Sequence, residues 1–461
     1  MKPKLFYIFI FICSSFNLLG QNLSTEFTYN EFLGYVKKFH PLVKQADLKL
    51  NEAQANIMQA RGAFDPKIEV DFSKKQFKDS EYYSILNSSF KIPTWYGIEL
   101  KAGFDNSEGI YVNPENTLPN SGLTSFGISV PVGQGLFINQ RMADLRKAKI
   151  MQNLNIAERN LQATEVIYEA SISYVNWKRS FDEVKLYETY LENALTRYNG
   201  VLKLIKEGDK PAIDSVEAGI SVKTRRLNLE DAKLKLTKAK LELSNYLWLE
   251  NNIPLELNDN LFPEATLSKT IKEVLQINEL GTIDLDNHPK IQTLDAKIAM
   301  LKVDRKLKAN ALLPKLDLSY NYLSEPSYID NYRFEDYKIG VNFLFPIFLR
   351  KERGSLKLTG LKIQDSEFGL QFERKNLENK LKAQQQEIVS LEKQQDYNDK
   401  LVKDFTTLLN AEDRLFEMGE SSLFVINSRE NSLISSQIND IIIENRYLNA
   451  IIGLYKIIAN P

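Results

Sequence analysis

The sequence contains one structural unit twice. In the first half, Pro41 opens a helical pattern that reaches Pro66 and continues as KIEVDF; in the second half, Pro289 opens one that reaches Pro314 and continues as KLDLSY. Both spacings are 25 residues, and a common offset of 248 relates the two registers. An internal repeat of this kind predicts two similar supersecondary units, each with a helix, a strand region and further helices.

Long helices are expected after each strand region because proline is absent from long stretches. No proline occurs within 132–210, 212–253 or 347–460, so proline breaks no helix there. A helix of more than sixty residues is roughly 100 Å long, which suits a tall wall better than an ordinary domain. The predicted long helices are 140–206, 212–250, 350–417 and 421–458, and the shorter helices before the strand regions are 42–63 and 290–312.

One returning helix indicates how the helices assemble. Apolar residues step by three and four along one seam, and others recur every seven residues along a second seam roughly opposite the first. Two opposed seams predict a neighbour on each side, as in a tubular wall, whereas a bundle core predicts one wide apolar face. The first seam is Leu229, Ala232, Leu236, Ala239, Leu243 and Tyr246, and the second is Leu227, Leu234, Leu241 and Trp248.

The strand regions alternate apolar and polar residues with a period of two. Such alternation also describes a soluble sheet with one wet face. Aromatic residues near the strand ends favour a membrane sheet, because such residues anchor strands at the membrane interface. The apolar positions include Ile68, Val70, Phe72, Phe126, Ile128, Val130, Leu316, Leu318, Tyr320, Tyr322, Tyr337, Ile339, Val341 and Phe343. The candidate anchors are Tyr82, Tyr83, Trp95, Tyr96, Tyr328 and Tyr337.

The number of strands decides the oligomeric state. Four clear hairpin strands cannot close a barrel alone, because the smallest membrane barrels need about eight, and an open edge cannot face lipid. We therefore expect several copies to share a barrel, and three copies of four would give twelve strands. The longer first strand region also contains an alternating segment in IPTWYGIELKAGF, which is either an extracellular excursion or a second hairpin.

Composition and the first residues restrict the class of protein. Residues 1–20 have the layout of a secretory signal, with Lys2 and Lys4, an apolar run and Gly20, so we expect an exported chain. Removing them also removes Cys13, the only cysteine. Without the two lysines, 57 of the 59 basic residues remain, compared with 60 acidic residues. This balance does not indicate nucleic acid as a partner. No later stretch approaches the roughly 18 apolar residues of a membrane helix.

This order of elements resembles the TolC-like outer membrane efflux proteins. The resemblance covers nearly the whole chain after residue 20 and rests on HPKIQTLDAKIAMLKVDRKLKANALLPKLDLSYNY, on its counterpart from His40, and on the turns RYNGVLKLIKEGDKPAIDSVEA and RLFEMGESSLFVINSRE. It implies an α+β membrane protein, in which a trimeric shared transmembrane β-barrel is continued by a long periplasmic α-helical barrel. The first repeat would be 21–265, with a strand region at about 66–133 and a helical hairpin over 140–250; the second would be 266–461, with a β-hairpin at about 314–346 and a helical hairpin over 350–458.

The resemblance also implies a function. The chain would be the outer-membrane channel of a tripartite efflux or type I secretion system, a passive duct that receives substrates from an inner-membrane pump through a periplasmic adaptor protein. Its partners would be two further copies of itself, the adaptor, the pump and outer-membrane lipid, with no cofactor, metal or nucleic acid. An exported coiled-coil scaffold without pore activity is the alternative, and it explains the helices but not the aromatic strand faces. An enzyme is disfavoured, since no nucleophile–base arrangement, phosphate loop or metal spacing occurs.

Candidate site residues lie at two glycine turns between the long helices. Family members often carry acidic residues after the turn glycine that ring the periplasmic mouth, and Asp214 and Glu217 stand six and nine positions after Gly208. The corresponding places after the second turn glycine are Val425 and Ser428, so an acidic ring is expected from the first repeat. A carboxylate that stabilises the start of a helix is the alternative role for Asp214.

The turns themselves are candidates for adaptor contact. Gly208 and Gly419 are predicted to end helices in the left-handed conformation that glycine adopts without penalty, and so to shape the tip where the adaptor docks. Leu423 and Phe424 are candidate contacts because apolar residues at an exposed tip otherwise lack a role. Packing inside the helical wall is the alternative for both.

The two histidines occupy equivalent positions in the two repeats. His40 and His288 each precede a proline, and proline in the first turn after a polar residue is typical of a helix start. A metal or catalytic site needs further ligands, and the sequence has no third histidine and no cysteine after residue 20. We therefore interpret both histidines as structural.

Overall fold

The computed structural model describes residues 26–277, 285–328 and 333–459. The expected signal sequence over residues 1–20, with Cys13, lies outside the described residues. The chain divides into two compact units. The sheet unit contains the described residues of 37–171, 275–396 and 446–459, and the turn unit contains those of 26–36, 172–274 and 397–445.

The helices follow the proline-free stretches. The two longest, predicted over 140–206 and 350–417, have 68 residues each. None of the described helices is long and apolar enough to cross a membrane. The α-helices are α1 (Tyr29–Phe39), α2 (Pro41–Gly62), α3 (Gln140–Glu207), α4 (Ile213–Ser244), α5 (Leu267–Val274), α6 (Pro289–Asn310), α7 (Arg350–Glu417) and α8 (Leu423–Ile458).

The prediction for one helix end is wrong. The sequence predicts a returning helix over 212–250, whereas α4 ends at Ser244. The chain turns back on itself soon after this point, because Asn251 and Asn252 adopt left-handed φ angles of 63° and 59°. Trp248 then forms a bridge with Pro254, and a residue in such a pairing cannot stay in a helix. Local turn geometry overrides the apolar periodicity that continues to Trp248.

The strands are β1 (Glu26–Phe27), β2 (Lys67–Phe77), β3 (Ser80–Pro93), β4 (Glu99–Glu108), β5 (Leu123–Pro131), β6 (Phe262–Pro263), β7 (Lys315–Ser324) and β8 (Tyr337–Leu344). Six of them form one sheet in the sheet unit, with the order β2-β3-β4-β5-β7-β8 and every neighbouring pair antiparallel. The sheet therefore has two strands more than the four that are clear in the sequence, and of the two alternatives for the longer first strand region the second hairpin is the one observed. The additional segment of the first strand region is a second hairpin within the sheet.

The sheet joins the two repeats, and most of its apolar side chains lie on one face. β5 of the first repeat pairs with β7 of the second, with Ile128 opposite Tyr320. Because paired residues point to the same face, the registers place one apolar row after another on a single face. The apolar face carries Ile68, Val70, Phe72, Leu86, Phe90, Ile92, Leu100, Phe104, Phe126, Ile128, Val130, Leu316, Leu318, Tyr320, Tyr322, Tyr337, Ile339, Val341 and Phe343.

Aromatic residues hold the N-terminal segment of the turn unit against α3. The ring of Tyr174 lies 5.4 Å from that of Tyr29 and 5.3 Å from that of Phe32. Its hydroxyl donates to the carbonyl of Phe27 at 2.5 Å and accepts from the backbone N–H of Glu264 at 3.1 Å. Burial raises the pKa of the Tyr174 hydroxyl. The hydroxyl thus bonds both segments of the small parallel sheet formed by β1 and β6.

The two histidines start helices in the sheet unit, which confirms their structural interpretation. His40 caps α2 by accepting a hydrogen bond from the N–H of Leu42 at 3.3 Å, and His288 caps α6 by accepting one from Lys290 at 3.1 Å. The other ring nitrogen of His288 lies 2.9 Å from the carbonyl of Ile457. Burial lowers the pKa of His288, so the neutral ring is the stable form in the folded chain.

Candidate channel surfaces

The two glycine turns have the same backbone geometry. Gly208 and Gly419 have φ angles of 87° and 80°, in the left-handed region. After each glycine, the N–H of Asp209 or Glu420 bonds to the carbonyl five residues earlier, at 2.9 Å in both turns. This bond is the signature of a Schellman motif at a helix C-terminus. The predicted role of both glycines in ending helices is confirmed.

The two candidate acids of the first turn have different surroundings. Asp214 lies in the first turn of α4 and is half-buried, and its carboxylate forms no ion pair with any residue that the structure describes. Glu217 accepts a hydrogen bond from the side-chain Nδ2 of Asn427 on α8 at 3.3 Å. Glu217 therefore links α4 to α8, whereas the carboxylate of Asp214 is not held in an ion pair with a described residue. The position of Asp214 at a channel mouth stays a prediction.

The two candidate apolar contacts at the second turn also differ. Leu423 is only 3% exposed and packs in a cluster with Val201 and Ala218, which is the alternative expected for it. Phe424 is 71% exposed. Ile213 stands five residues after Gly208, as Phe424 stands five after the second glycine, and it is 68% exposed. Sequence analysis missed Ile213, although a comparison of the two turns would have found it.

A buried ion cluster, not anticipated from the sequence, ties three helices of the turn unit together. Glu430 on α8 is 1% exposed. Its Oε2 lies 3.2 Å from Nη1 of Arg197 on α3 and 3.4 Å from Nη2 of Arg225 on α4. Arg225 also donates to the side-chain oxygen of Asn431 at 2.6 Å. Arg225 stands four residues before Leu229 and thus continues the first seam of α4. The sequence signal for this cluster is an arginine at a position of an otherwise apolar seam.

Contacts within the turn unit link the four long helices to one another. Val184 on α3 packs against Leu229 on α4, and the hydroxyl of Tyr190 on α3 donates to Gln437 on α8 at 2.5 Å. Asn398 of α7 donates to the backbone carbonyl of Ser436 on α8 at 3.2 Å. On α4, these contacts are made by the first predicted seam. Other apolar side chains of α4 and α7 stay exposed.

Both α4 and α7 carry an uncovered apolar row. On α4 the row repeats every seven residues and its members are 54% to 73% exposed; it continues the second seam predicted for this helix. On α7 a similar row is less exposed but has the same spacing. The row on α4 is Ile213, Ile220, Leu227, Leu234 and Leu241, and the row on α7 is Leu401, Leu408 and Leu415.

The sheet also leaves apolar surface and two edges uncovered. Side chains on the apolar face of the outermost strands are largely exposed, for example Val70 on β2 and Val341 on β8. Among the described strands, β2 pairs only with β3 and β8 only with β7. A soluble protein rarely leaves so large an apolar patch or a long unpaired edge open to water.

Comparison with known protein families gives one match. The family model "Outer membrane efflux protein" matches residues 36–247, which lie in the first repeat. The resemblance to the outer membrane efflux proteins is thereby confirmed. No curated protein matches the sequence at a significant level.

Solved structures extend the likeness of fold over both repeats. The Campylobacter jejuni outer membrane channel CmeC is 15% identical with a TM-score of 0.63, covering 93% of this chain and 85% of that one. The open-state outer membrane channel MtrE of Neisseria gonorrhoeae is 13% identical with a TM-score of 0.63, covering 93% and 88%. The Vibrio cholerae outer membrane protein VceC is 12% identical with a TM-score of 0.64, covering 93% and 95%. At these identities the likeness establishes the fold, and none of these three is named as an enzyme.

Proposed function

We propose that this chain is the outer-membrane channel of a tripartite efflux or type I secretion system. Three copies share one membrane barrel and one helical tube that projects into the periplasm. The duct is passive, and an inner-membrane pump energises export through a periplasmic adaptor. The single observation that carries the proposal is the uncovered apolar face across all six strands, because such a face is stable against lipid and not against water.

The opposite face of the sheet supports a water-filled interior. Most of its side chains are polar or charged, and several form ion pairs within the face, such as Lys91 with Glu69 and Lys101 with Glu99. The apolar residues on this face lie mainly near strand ends and include Ile85, Leu123, Leu323 and Leu344. Strands of membrane channels alternate apolar residues towards lipid and polar residues towards the lumen. A scaffold without a pore has no use for this arrangement.

The uncovered rows on α4 and α7 support assembly of identical copies. Rows that repeat every seven residues are typical of helices that pack side by side. In a ring of copies related by rotation, α4 of one copy meets α7 of the next, and the ring closes without leaving either row open. The same contact repeated around the ring gives a tube of four helices per copy.

The turns are the proposed mouth and adaptor surface. Phe424 and Ile213 present apolar side chains at equivalent places in the two repeats, so each copy offers two similar contacts to the helices of an adaptor. Gly208 and Gly419 shape these contacts by ending the helices before them. Asp214 supplies a carboxylate from only one of the two turns, and we place it at the constriction, where it favours cations.

Purification in detergent followed by mass measurement and planar-bilayer recording tests this function. We expect a particle of three chains that inserts into a bilayer and gives stepwise conductance. A mature chain that is recovered without detergent as a soluble protein, and that gives no conductance, would contradict the channel and favour the exported scaffold.

A further inference from the structure

We propose that each copy contributes six strands to the barrel and that β2 of one copy pairs with β8 of the next, so that three copies close a barrel of eighteen strands. The copy number rests on the proposed function. The strand number rests on the second hairpin, β3–β4, which lies within the sheet of this chain.

The pairing register places β3 and β4 in the membrane rather than outside it. Phe90 on β3 is opposite Ala102 on β4, and Ala102 is opposite Phe126 on β5. The same row therefore passes without interruption from the second hairpin into strands that have an apolar face of their own. β3 and β4 have 14 and 10 residues, enough to cross the hydrocarbon core, which takes about 9–11 tilted residues.

The turn between β3 and β4 is fixed to the helices of the sheet unit. Trp95 in this turn stacks on Phe64, at the end of α2, with ring centroids 5.6 Å apart and planes at 22°. Asn139, at the start of α3, donates to the carbonyl of Trp95 at 3.0 Å. Arg141 forms an ion pair with Glu99 at 2.5 Å. Contacts of this kind place the turn beside the ends of α2 and α3, as expected for a barrel turn that faces the periplasm.

The stagger of the sheet matches a closed barrel that includes all six strands. Following the paired residues from strand to strand leads from Lys67, the first residue of β2, to Lys338 on β8. Lys338 stands six residues before Leu344, the last residue of β8. The strands are therefore staggered by six residues across the width of the sheet. Six residues at about 3.3 Å each, across five strand spacings of about 4.8 Å, correspond to a tilt of roughly 40°. Strands of closed membrane barrels tilt by about 35–45°.

The two free edges suit each other. β8 is antiparallel to β7, and each step from β8 to β2 reverses direction, so β2 and β8 run in opposite directions. The edge of one copy can therefore extend the sheet of the next as an antiparallel pair. Six strands are too few to close a barrel within one copy, since the smallest need about eight, and lipid does not tolerate an open edge. We therefore assign a second copy of this chain as the partner that pairs with each edge strand.

The second hairpin widens the membrane part of the duct. Barrel diameter grows roughly in proportion to strand number, so eighteen strands give a lumen about half again as wide as twelve strands of the same tilt. Barrels of this size enclose an open aqueous channel. The membrane section then does not limit the size of the cargo, and selection by size falls to the periplasmic mouth.

Cysteine pairs test which strands meet between copies, and the chain after residue 20 has no cysteine of its own. Val341→Cys on β8 is combined in turn with Ile68→Cys, Val70→Cys or Phe72→Cys on β2, and the detergent-purified particle is oxidised. We expect at least one combination to give disulfide-linked species of two and three chains on a non-reducing gel. Tyr320→Cys with Ile339→Cys, which are opposite each other in one sheet, is the control that links without a change in mass.

The matched variant places the second cysteine on β4, as Ala102→Cys with Val341→Cys. In a sheet of six strands β4 is internal, so this combination gives no linked copies. Linked copies from β4, or none from any position on β2 in a particle of three chains, would overturn the six-strand barrel while leaving the channel in place. A particle of one chain without conductance would instead overturn the proposed function.

Discussion

The two repeats use the same helical signals but build different amounts of sheet. Each begins a helix with a histidine cap and ends a long helix at a left-handed glycine. The first repeat nevertheless supplies four strands, β2 to β5, and the second supplies two, β7 and β8. A whole hairpin returns the chain to the side from which it left. Hairpins can therefore be added to one repeat without changing the helices that follow.

The largest expected effect comes from making the first repeat resemble the second. Deletion of residues 67–98 joins Pro66 to Glu99 and removes β2 and β3, and the stacking of Phe64 on Trp95 brings the two cut sites close together. We expect a particle of three chains with twelve strands and about two-thirds of the original barrel width. β4 then becomes an edge, so Ala102→Cys with Val341→Cys should link copies in the deletion variant. A trimeric deletion variant in which these cysteines stay unlinked would contradict the prediction that β4 replaces β2 as the edge strand that pairs with β8 of the next copy.

The ion cluster that joins the two repeats should give the next largest effect. Glu430→Ala leaves Arg225 buried without its carboxylate, and loss of one partner of a buried pair costs about 3–5 kcal/mol of unfolding free energy. Unfolding of the purified protein in detergent, followed by circular dichroism, measures the loss. Glu420→Ala, at an exposed position after the second turn, is the control and should change stability by less than about 0.5 kcal/mol. Equal effects of the two substitutions would mean that the cluster does not hold the repeats together.

The glycine turns should respond equally in the two repeats. Gly208→Ala and Gly419→Ala each force a Cβ into the left-handed conformation, at about 1–2 kcal/mol. A Cβ at either position meets nothing within 4 Å, so the cost comes from the backbone alone. Unfolding in detergent should place the two variants within a few tenths of a kcal/mol of each other. A large difference would mean that the turns are not structurally equivalent.

The histidine cap of the second repeat predicts a dependence on pH. Burial lowers the pKa of His288 in the folded chain below its unfolded value of about 6.5, so the unfolded state binds more protons in that range. The stabilising contribution of the neutral ring is therefore lost as the pH falls below about 6.5. His288→Asn keeps a side chain that caps helices well, and it should reduce the loss of thermal stability between neutral and mildly acidic pH. An unchanged pH dependence in this variant would exclude His288 as its source.

The smallest expected effect concerns ion preference at the turns. Asp214→Asn removes the carboxylate that only the first repeat carries, and the permeability ratio of cations to anions should fall. Val425→Asp adds a carboxylate at the equivalent place in the second repeat, and the ratio should rise. Reversal potentials in a salt gradient measure both. If neither substitution moves the reversal potential, the turns do not line the constriction.

The helices were the most predictable part of the fold. Proline-free stretches and turn glycines act locally, and they locate the long helices to within about two residues except at the end of α4, where the bridge of Trp248 with Pro254 overrides the apolar pattern. The second hairpin was recognisable as an alternating segment, but strand pairing is a long-range property and alternation alone could not place it in the sheet.

The candidate site was less predictable because burial at the tips depends on packing between helices. Leu423 and Phe424 are adjacent in sequence, yet one is buried and the other exposed. The partners of Glu430 come from two distant helices, α3 and α4, and no spacing in the sequence links them. Asp214 and Glu217 were found by their distance from a glycine, which does not reveal that Glu217 bonds to α8.

Imaging of the detergent-purified particle by electron cryomicroscopy, without imposed symmetry, tests the shared channel most directly. We predict three chains around one open lumen, with eighteen strands in the membrane section and twelve long helices in the tube. Separate chains without a common lumen would contradict the channel, and three chains around a barrel of twelve strands would contradict the six-strand contribution of each copy.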